Sequence, residues 1–411
     1  MRMSAATNYR TRFCITCQFI TEMTKRALLP GTVIQGGKYK IFRKLGSGTF
    51  GEVYEAAVLP EEKTLVAIKV ASAARHNEHA LRELEILRAL QKSGTGLVVG
   101  LLDSFEMVIE GESRVCMVLE KLDQSLHQIL TKRKEGFSLS EVAVLGSQLL
   151  TVLHHFDSVG LLHLDLKPAN VLINLRDHQL RIADFGSACY LSQQTHSVAQ
   201  TAAYRAPEVT LGLLPYSHAA DMWSLGCILA ELYCRFRVKG PGSHLHQLVR
   251  CFGLLPADMF ASGRADCSYN ELRLLSEFSQ EQRCFDRLRE AWRTKPRDKS
   301  AELFPLFCNL LAHIFQFHPE QRLDVQGALQ HSFFREALKI SREVNLEFTE
   351  PPWPAHLFPT SSGAGAVQRR PRRSSVRGQK RTAESTPPSS GSSRHGTGSS
   401  LFSSESDHTQ D

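Results

Sequence analysis

Apolar and polar residues alternate in two different ways along the chain. Between residues 39 and 119, short stretches rich in β-branched residues are separated by turns, which predicts strands over 39–45, 51–57, 65–70 and 115–119. One segment between them has a helical period, which places Ala80, Leu84, Leu87 and Leu90 on one face. The pattern predicts a small sheet with one main helix.

Beyond residue 122 the helical period dominates. It predicts helices over 126–130, 140–159, 219–233 and 303–317. The sequence therefore predicts a small lobe over residues 39–122, followed by a larger, mainly helical lobe over 123–335. Residues 1–38 are expected to be an N-terminal extension, and residues 336–358 a C-terminal one.

Composition places the chain among ordinary globular proteins. Of its 411 residues, 42% are hydrophobic and 22% are charged. No apolar run reaches the roughly 18 residues that a membrane helix needs, and the basic N-terminus lacks a signal-like apolar core. We expect an intracellular protein, in the cytoplasm, the nucleus or both, with no membrane contact. The one close cysteine pair, Cys14 and Cys17, has no second pair at zinc-site spacing, so reduced thiols are expected.

Residues 359–411 form a basic tail rich in serine. The net charge of +7 is modest, and much of the visible basicity lies between Arg369 and Arg381. Such a composition buries too little apolar surface to order itself, so we expect this tail to be disordered. The basic run fits a nuclear import signal or a phosphate-binding arm, and equally a solubilising tail. It lacks the aromatic residues of a nucleic-acid surface, so nucleic acid is not an expected main partner.

A glycine-rich segment lies between the first two predicted strands. Glycines let the backbone approach phosphate groups closely, and an apolar residue just after them offers a surface to a purine. A similar glycine pattern in dinucleotide-binding folds precedes a helix, whereas this one lies between strands. The segment is Leu45-Gly46-Ser47-Gly48-Thr49-Phe50-Gly51-Glu52-Val53.

Lys69 stands inside the apolar strand 65–70. A buried ammonium is costly unless it is paired, so Lys69 requires a carboxylate and an anionic ligand. Glu78, Glu83 and Glu85 on the following helix are the candidates. Glu83 is the best placed, because Glu85 lies about 200° further around a helix that turns roughly 100° per residue.

Residues 163–170 read His-Leu-Asp-Leu-Lys-Pro-Ala-Asn, and Asp184-Phe185-Gly186 follows fourteen residues later. These two motifs supply a carboxylate, an ammonium, an amide and a second carboxylate. That set can align a hydroxyl with a magnesium-bound triphosphate.

Together these motifs resemble the eukaryotic protein kinases, over about residues 39–335. Three later motifs support the resemblance in order: Ala206-Pro207-Glu208, Asp221-Met222-Trp223-Ser224-Leu225-Gly226 and Arg322. The chain is most similar to the CMGC group, and within it to the homeodomain-interacting, LAMMER and tyrosine-regulated dual-specificity branches. The resemblance implies an α+β, bilobal protein kinase fold, with a small antiparallel sheet lobe and a larger helical lobe.

The resemblance also implies a role for each site residue. Asp165 would orient the substrate hydroxyl, Lys167 would neutralise the transferred phosphoryl group, and Lys69 with Glu83 would hold the other phosphates of ATP. Asn170 and Asp184 would bind Mg²⁺. The adenine would contact the connector between the lobes, around Glu120 and Leu122. It would also lie against an apolar surface. The implied nucleotide-binding residues are Leu45, Gly46, Ser47, Gly48, Thr49, Phe50, Gly51, Val53, Ala67, Lys69, Leu119, Glu120, Leu122 and Leu172.

Departures from the family pattern bear on regulation and substrate. Leu164 replaces the arginine that pairs with activation-loop phosphate in many kinases, and Val198 replaces a regulatory tyrosine, which predicts activity without loop phosphorylation. Thr201 favours Ser or Thr acceptors, whereas Ala202 leaves proline direction open. Residues 254–300 match the CMGC insert and are expected to dock a partner. The alternative function is a pseudokinase scaffold, which predicts a missing catalytic residue, and none is missing.

Overall fold

The computed structural model describes residues 28–343, apart from residues 49, 94–95, 175–178, 195–198, 279–282 and 295–301. The N-terminal segment with Cys14 and Cys17, the predicted tail and Val198 therefore lie outside the described residues.

A six-stranded antiparallel sheet makes up most of the small lobe. Its strands are β1 (Val33–Ile34), β2 (Tyr39–Ser47), β3 (Gly51–Val58), β4 (Leu65–Ala71), β5 (Leu101–Ile109) and β6 (Glu112–Glu120). They lie in the order β1-β2-β3-β4-β6-β5, and each neighbouring pair is antiparallel. The four predicted strands are confirmed, whereas β1 and β5 were not predicted.

The two faces of β4 pack against different cores, because successive side chains of a strand point to opposite faces. Ile68 and its alternate neighbours belong to a cluster on the outer face of the sheet. Ala67 and Ala71 belong to the main core together with Leu84 and Leu87 of helix α1 (Asn77–Lys92). Lys69 shares the alternation of Ala67 and Ala71, so its side chain points towards α1.

The large lobe is built around two buried helices, α3 (Leu139–Ser158) and α5 (Ala219–Cys234). Every residue of α5 from Ala220 to Tyr233 is buried. The other helices are α2 (Leu126–Lys132), α4 (Pro207–Leu211), α6 (His244–Phe252), α7 (Ala257–Ser262), α8 (Tyr269–Phe278), α9 (Cys284–Thr294), α10 (Phe304–Ile314), α11 (Val325–Gln330) and α12 (Ser332–Glu343). None of the helices in the described ranges combines the length and apolarity needed to cross a bilayer.

The helix predicted over 303–317 is shorter in the structure, where α10 ends at Ile314. The chain turns there because Phe315 and Phe317 pack on Trp223, with ring centroids 5.1 and 6.2 Å away. The other predicted large-lobe helices are confirmed within two residues at each end.

Five further strands are short: β7 (Gln124–Ser125), β8 (Leu161–Leu162), β9 (Val171–Ile173), β10 (Leu180–Ile182) and β11 (Cys189–Tyr190). They form two small sheets, in the orders β10-β9-β7 and β11-β8. β9 and β10 pair antiparallel, with Val171 opposite Ile182. The residues just beyond this pair are Asn170 and Ala183, and the N–H of Ala183 donates to the carbonyl of Asn170 at 2.9 Å. This register brings Asp184 close to Asn170.

Candidate active site

Lys69 joins helix α1 to the segment that begins at Asp184. Its Nζ lies 2.7 and 2.6 Å from the two carboxylate oxygens of Glu83 and 2.7 Å from Oδ1 of Asp184. Glu83 is buried on α1, whereas Glu85 is exposed. The partner of Lys69 is therefore Glu83, as the helical geometry predicted.

Charge fixes the protonation of Lys69 and Asp184. Burial opposes the ammonium, but the neighbouring carboxylates of Glu83 and Asp184 raise the pKa of Lys69 above its ordinary value. Burial likewise opposes the carboxylate of Asp184, yet the Lys69 ammonium lowers the pKa of Asp184. Both groups are charged at neutral pH.

The glycine-rich segment is a hairpin between β2 and β3. Gly46 lies opposite Val53, and the N–H of Gly48 donates to the carbonyl of Gly51 at 2.8 Å. A Cβ on Gly51 would lie 2.7 Å from the carbonyl oxygen of Val70, so only glycine fits there. Leu45, Ser47 and the two neighbouring glycines are exposed, whereas Thr49 lies outside the described residues.

Phe50 closes the hairpin against the rest of the site. Its ring stacks on His79 of α1 with centroids 4.4 Å apart. A Cβ built on Gly186 would lie 3.6 Å from the Phe50 ring, so the tip of the hairpin sits over the Asp184-Phe185-Gly186 segment. Phe185 itself is buried and lies edge-on to His163 at 5.2 Å.

Asp165 is the centre of a second polar cluster. Lys167 Nζ donates to Asp165 Oδ2 at 2.7 Å and to the Thr201 hydroxyl oxygen at 2.9 Å. The Thr201 hydroxyl donates to Asp165 Oδ1 at 2.7 Å. The Asn170 amide donates to the Asp165 carbonyl at 2.9 Å, which orients the amide. The structure thus brings a carboxylate, an ammonium and a hydroxyl into mutual contact.

Asp221 holds the backbone that carries Asp165. Its two carboxylate oxygens accept from the N–H of His163 at 2.8 Å and from that of Leu164 at 2.9 Å. Burial raises the pKa of Asp221. No role was predicted for this residue from the sequence. The signal was available, because a carboxylate inside the apolar segment 219–233 needs buried partners.

The predicted purine surface is contiguous. Ala67, Leu119 and Leu122 belong to the main core, and Val53 and Leu172 pack against it. The pairing of β4 with β6 places Ala67 directly opposite Leu119. These residues come from both lobes and belong to one apolar cluster.

The connector between the lobes begins at Glu120. Its N–H donates to the carbonyl of Gly100 at 2.7 Å, and its carboxylate lies 3.5 Å from Nε of Arg181. Lys121 Nζ donates to the carbonyl of Leu122 at 2.7 Å. These contacts fix the connector next to the apolar cluster that contains Ala67 and Leu119.

Glu208 and Arg322 form a buried ion pair below the site. The guanidinium donates to both carboxylate oxygens, at 2.8 and 3.0 Å, and the side chains are 2% and 0% exposed. Arg322 also donates to the carbonyls of Ala219 and Phe317 and lies over the ring of Trp223. The pair ties α4 to the base of the large lobe.

Sequence comparison identifies the family. The family model of the protein kinase domain matches residues 39–334. The chain belongs to the protein kinase family. This kinase domain has the predicted α+β fold, with an antiparallel sheet lobe and a helical lobe.

Relatives from several organisms indicate the group of protein kinases to which the chain is most similar. The chain is 31% identical to mitogen-activated protein kinase p38a of Drosophila melanogaster, over 77% of this chain and 83% of that protein. It is 32% identical to serine/threonine-protein kinase AFC3 of Arabidopsis thaliana, over 72% of this chain and 82% of that protein. The cell division control protein 2 homolog 3 of Trypanosoma brucei brucei is 33% identical over 77% of this chain and 98% of its own. The resemblance to the CMGC group is confirmed.

Proposed function

We propose that this kinase transfers the γ-phosphoryl group of MgATP to serine or threonine hydroxyls of protein substrates. The observation that carries the proposal is the contact of Asp165 with both Lys167 and the Thr201 hydroxyl. It supports a site in which a carboxylate accepts a hydrogen bond from a hydroxyl while an ammonium stands beside it. Relatives named as serine/threonine kinases support the same acceptor class.

The roles of the residues follow from their contacts. Asp165 orients the acceptor hydroxyl and accepts its hydrogen bond, and Lys167 offsets negative charge on the transferred group. Lys69, held by Glu83, contacts phosphate oxygens. The backbone of the glycine hairpin covers them and excludes water, and Val53, Ala67 and Leu172 bind the adenine.

The donor set near Asp184 suits magnesium. Asp184 is ionised, and the Asn170 amide nitrogen is engaged with Asp165, which leaves the amide oxygen of Asn170 as its ligand atom. Hard oxygen donors are what Mg²⁺ prefers. The ion supplies positive charge that offsets the charge of the triphosphate.

We further propose that activity does not depend on activation-loop phosphorylation. Leu164 is 4% exposed and belongs to the main core, so a side chain that packs replaces one that would bind phosphate. Docking of partners at residues 254–300 and nuclear import through the run from Arg369 to Arg381 stay predictions; that run lies outside the described residues.

One experiment tests the reaction. The purified full chain is incubated with MgATP on an arrayed peptide library, beside Asp165→Asn and the surface control Asp286→Asn. We expect the Asp165 variant to lose at least about 100-fold in rate, the lower range for a general base, and the control to match wild type. Equal, near-zero signal from all three proteins would support the scaffold alternative. Signal on serine and threonine peptides alone fixes the acceptor class, and the preferred peptides decide proline direction.

A further inference from the structure

Three side chains with metal-binding atoms meet in the large lobe, away from the active site. His246 lies on α6, Cys267 precedes α8, and Glu271 is in the first turn of α8. One nitrogen of His246, the sulfur of Cys267 and one oxygen of Glu271 all lie within 4.8 Å of one another. His246 Nε2 is 2.9 Å from Glu271 Oε1. Nitrogen, thiolate sulfur and carboxylate oxygen are the three ligand types that zinc uses in proteins.

The spacing suits a tetrahedral ion. Zinc–ligand bonds of about 2.0–2.3 Å put neighbouring ligand atoms roughly 3.3–3.8 Å apart. Because the three atoms already lie within 4.8 Å of one another, shifts of about an ångström or less are enough to enclose an ion. Glu271 is exposed, whereas His246 and Cys267 are half-buried, so an ion can enter from the Glu271 side.

The imidazole of His246 is fixed before any ion arrives. The hydroxyl of Ser243 lies 2.8 Å from its Nδ1, the nitrogen opposite the one that faces Glu271, and the backbone N–H of Ser243 donates to the same nitrogen at 3.3 Å as part of the cap of α6. A Cβ on Gly242 would lie 3.0 Å from Cβ and Cγ of His246, so the glycine backbone packs closely beside the ring. These contacts fix the orientation of the ring, as the partner of the second nitrogen does in metal-binding histidines.

An ordinary ion pair accounts for only two of the three residues. A His–Glu contact at the surface contributes little to stability. Cys267 packs against the apolar cluster that contains Leu245 and Leu272, and this packing places its sulfur within 4.8 Å of the His–Glu atoms. Cys267 adds a soft ligand, and it separates a zinc site from a calcium or magnesium site, which takes oxygen ligands.

We propose that His246, Cys267 and Glu271 bind one zinc ion, with water as the fourth ligand. On binding, the Cys267 thiol releases its proton to solvent. The proton on His246 Nε2 exchanges through solvent to Nδ1; the backbone N–H of Ser243 gives up its contact with that nitrogen, and the Ser243 hydroxyl oxygen accepts the new Nδ1–H. The ion joins α6 to α8 and so braces the region predicted to dock partners. The proposal is independent of the kinase reaction.

The test uses the full chain, stripped with a chelator and kept reduced without added thiols. Zinc is titrated against a chromophoric competitor, and cobalt(II) is used as a spectroscopic probe, because a cobalt–thiolate bond gives a strong near-ultraviolet absorption. The variants are Cys267→Ser, His246→Ala and Glu271→Gln. Cys308→Ser, a half-buried cysteine on α10, is the matched control. A Cys14→Ser/Cys17→Ser double variant removes the other cysteine pair.

We expect one equivalent of cobalt with the thiolate absorption, lost in Cys267→Ser and kept in the two cysteine controls. Zinc affinity should fall at least about tenfold in His246→Ala and Glu271→Gln, in line with the losses seen even for outer-shell partners. Zinc should raise the thermal midpoint of wild type but not of Cys267→Ser, whose fold is checked by circular dichroism. The proposal is wrong if the absorption is absent, survives in Cys267→Ser, or disappears in the Cys14/Cys17 variant.

Discussion

The backbone N–H of Gln200 donates to the carbonyl of Leu164 at 2.8 Å. Both residues have a left-handed backbone, with φ of 66° and 54°. The amide of Gln200 reaches further, with its nitrogen 3.0 Å from the hydroxyl of Ser224 and its oxygen accepting from the N–H of Ala206 at 2.8 Å. Residues 163–170, the catalytic loop of the proposed reaction, are thus joined to the segment that carries Thr201 by an uncharged backbone hydrogen bond as well as by the charged contacts of Asp165 and Lys167 with Thr201.

Phosphatase treatment should therefore leave most of the activity intact. The contacts of Leu164 and Gln200 order the segment without a phosphate. The protein is treated with a broad phosphatase, and mass spectrometry verifies that it carries no phosphate. We expect it to keep more than about half of its phosphorylation rate. If the order of the loop depended on a phosphate, the rate would instead fall by orders of magnitude. A drop to background, restored by rephosphorylation, would refute the proposed independence.

Breaking the buried pair below the site should destabilise the kinase strongly. Arg322→Ala leaves the Glu208 carboxylate buried without its guanidinium, which costs about 3–5 kcal/mol for pairs of this kind. The free energy of unfolding is measured by urea denaturation. Arg273→Ala, which removes an exposed pair with Glu277, is the control and should change little. A loss for Arg322→Ala no larger than that of the control would contradict the structural role.

Two glycines of the hairpin between β2 and β3 should respond differently to replacement by alanine. Gly51→Ala forces a Cβ against the Val70 carbonyl oxygen, whereas a Cβ on Gly46 meets nothing within 4 Å. We expect Gly51→Ala to lose about 1–3 kcal/mol of stability, as overpacked sites do, and Gly46→Ala to stay near wild type. The thermal unfolding midpoints of both variants are measured. Equal midpoints would show that the backbone around Gly51 can shift to accommodate the added Cβ.

The stability of the protein should fall on acidification partly through His244. Burial, with Arg205 nearby, lowers the pKa of His244 to about 4. An unfolded histidine titrates near about 6.5, so the unfolded state binds more protons between these two values. The stabilisation that the neutral, buried His244 gives to the folded state is complete above about pH 6.5 and is lost as the pH falls towards 4.

His244→Asn keeps a side-chain donor near the Thr210 hydroxyl, which lies 2.7 Å from His244 Nδ1. Its thermal midpoint should decline less than that of wild type between pH 6.5 and 4. His154→Asn, an exposed histidine on α3, is the control and should follow wild type. Parallel curves for all three proteins would show that another group governs the acid response.

Local periodicity was enough to predict the parts of the fold with a regular apolar face. Helix α1 and strands β2, β3, β4 and β6 follow from it, and so does the choice of Glu83 over Glu85, since both depend on geometry within one element. Strand β5 was not predicted because it lies at the edge of the sheet. Its Leu102 and Val108 are 58% and 71% exposed, so its apolar residues do not mark a buried face.

Contacts between distant segments could not be derived from local pattern. Asp221 meets the backbone of His163 and Leu164 across more than fifty residues. His246 and Cys267 come together only because α6 and α8 pack against each other, and their spacing in sequence matches no metal motif. In both cases tertiary packing, rather than propensity, decides which polar groups meet.

The anchoring of the catalytic loop by Asp221 has a consequence for how this protein can change. The loop is fastened from the interior, to a helix whose residues from Ala220 to Tyr233 are all buried. Substitutions on the exposed faces of α7, α8 and α9 do not touch that attachment. Exchanging side chains there therefore leaves the position of Asp165 along the chain's interior support unaltered, because the support comes from Asp221 and not from the surface.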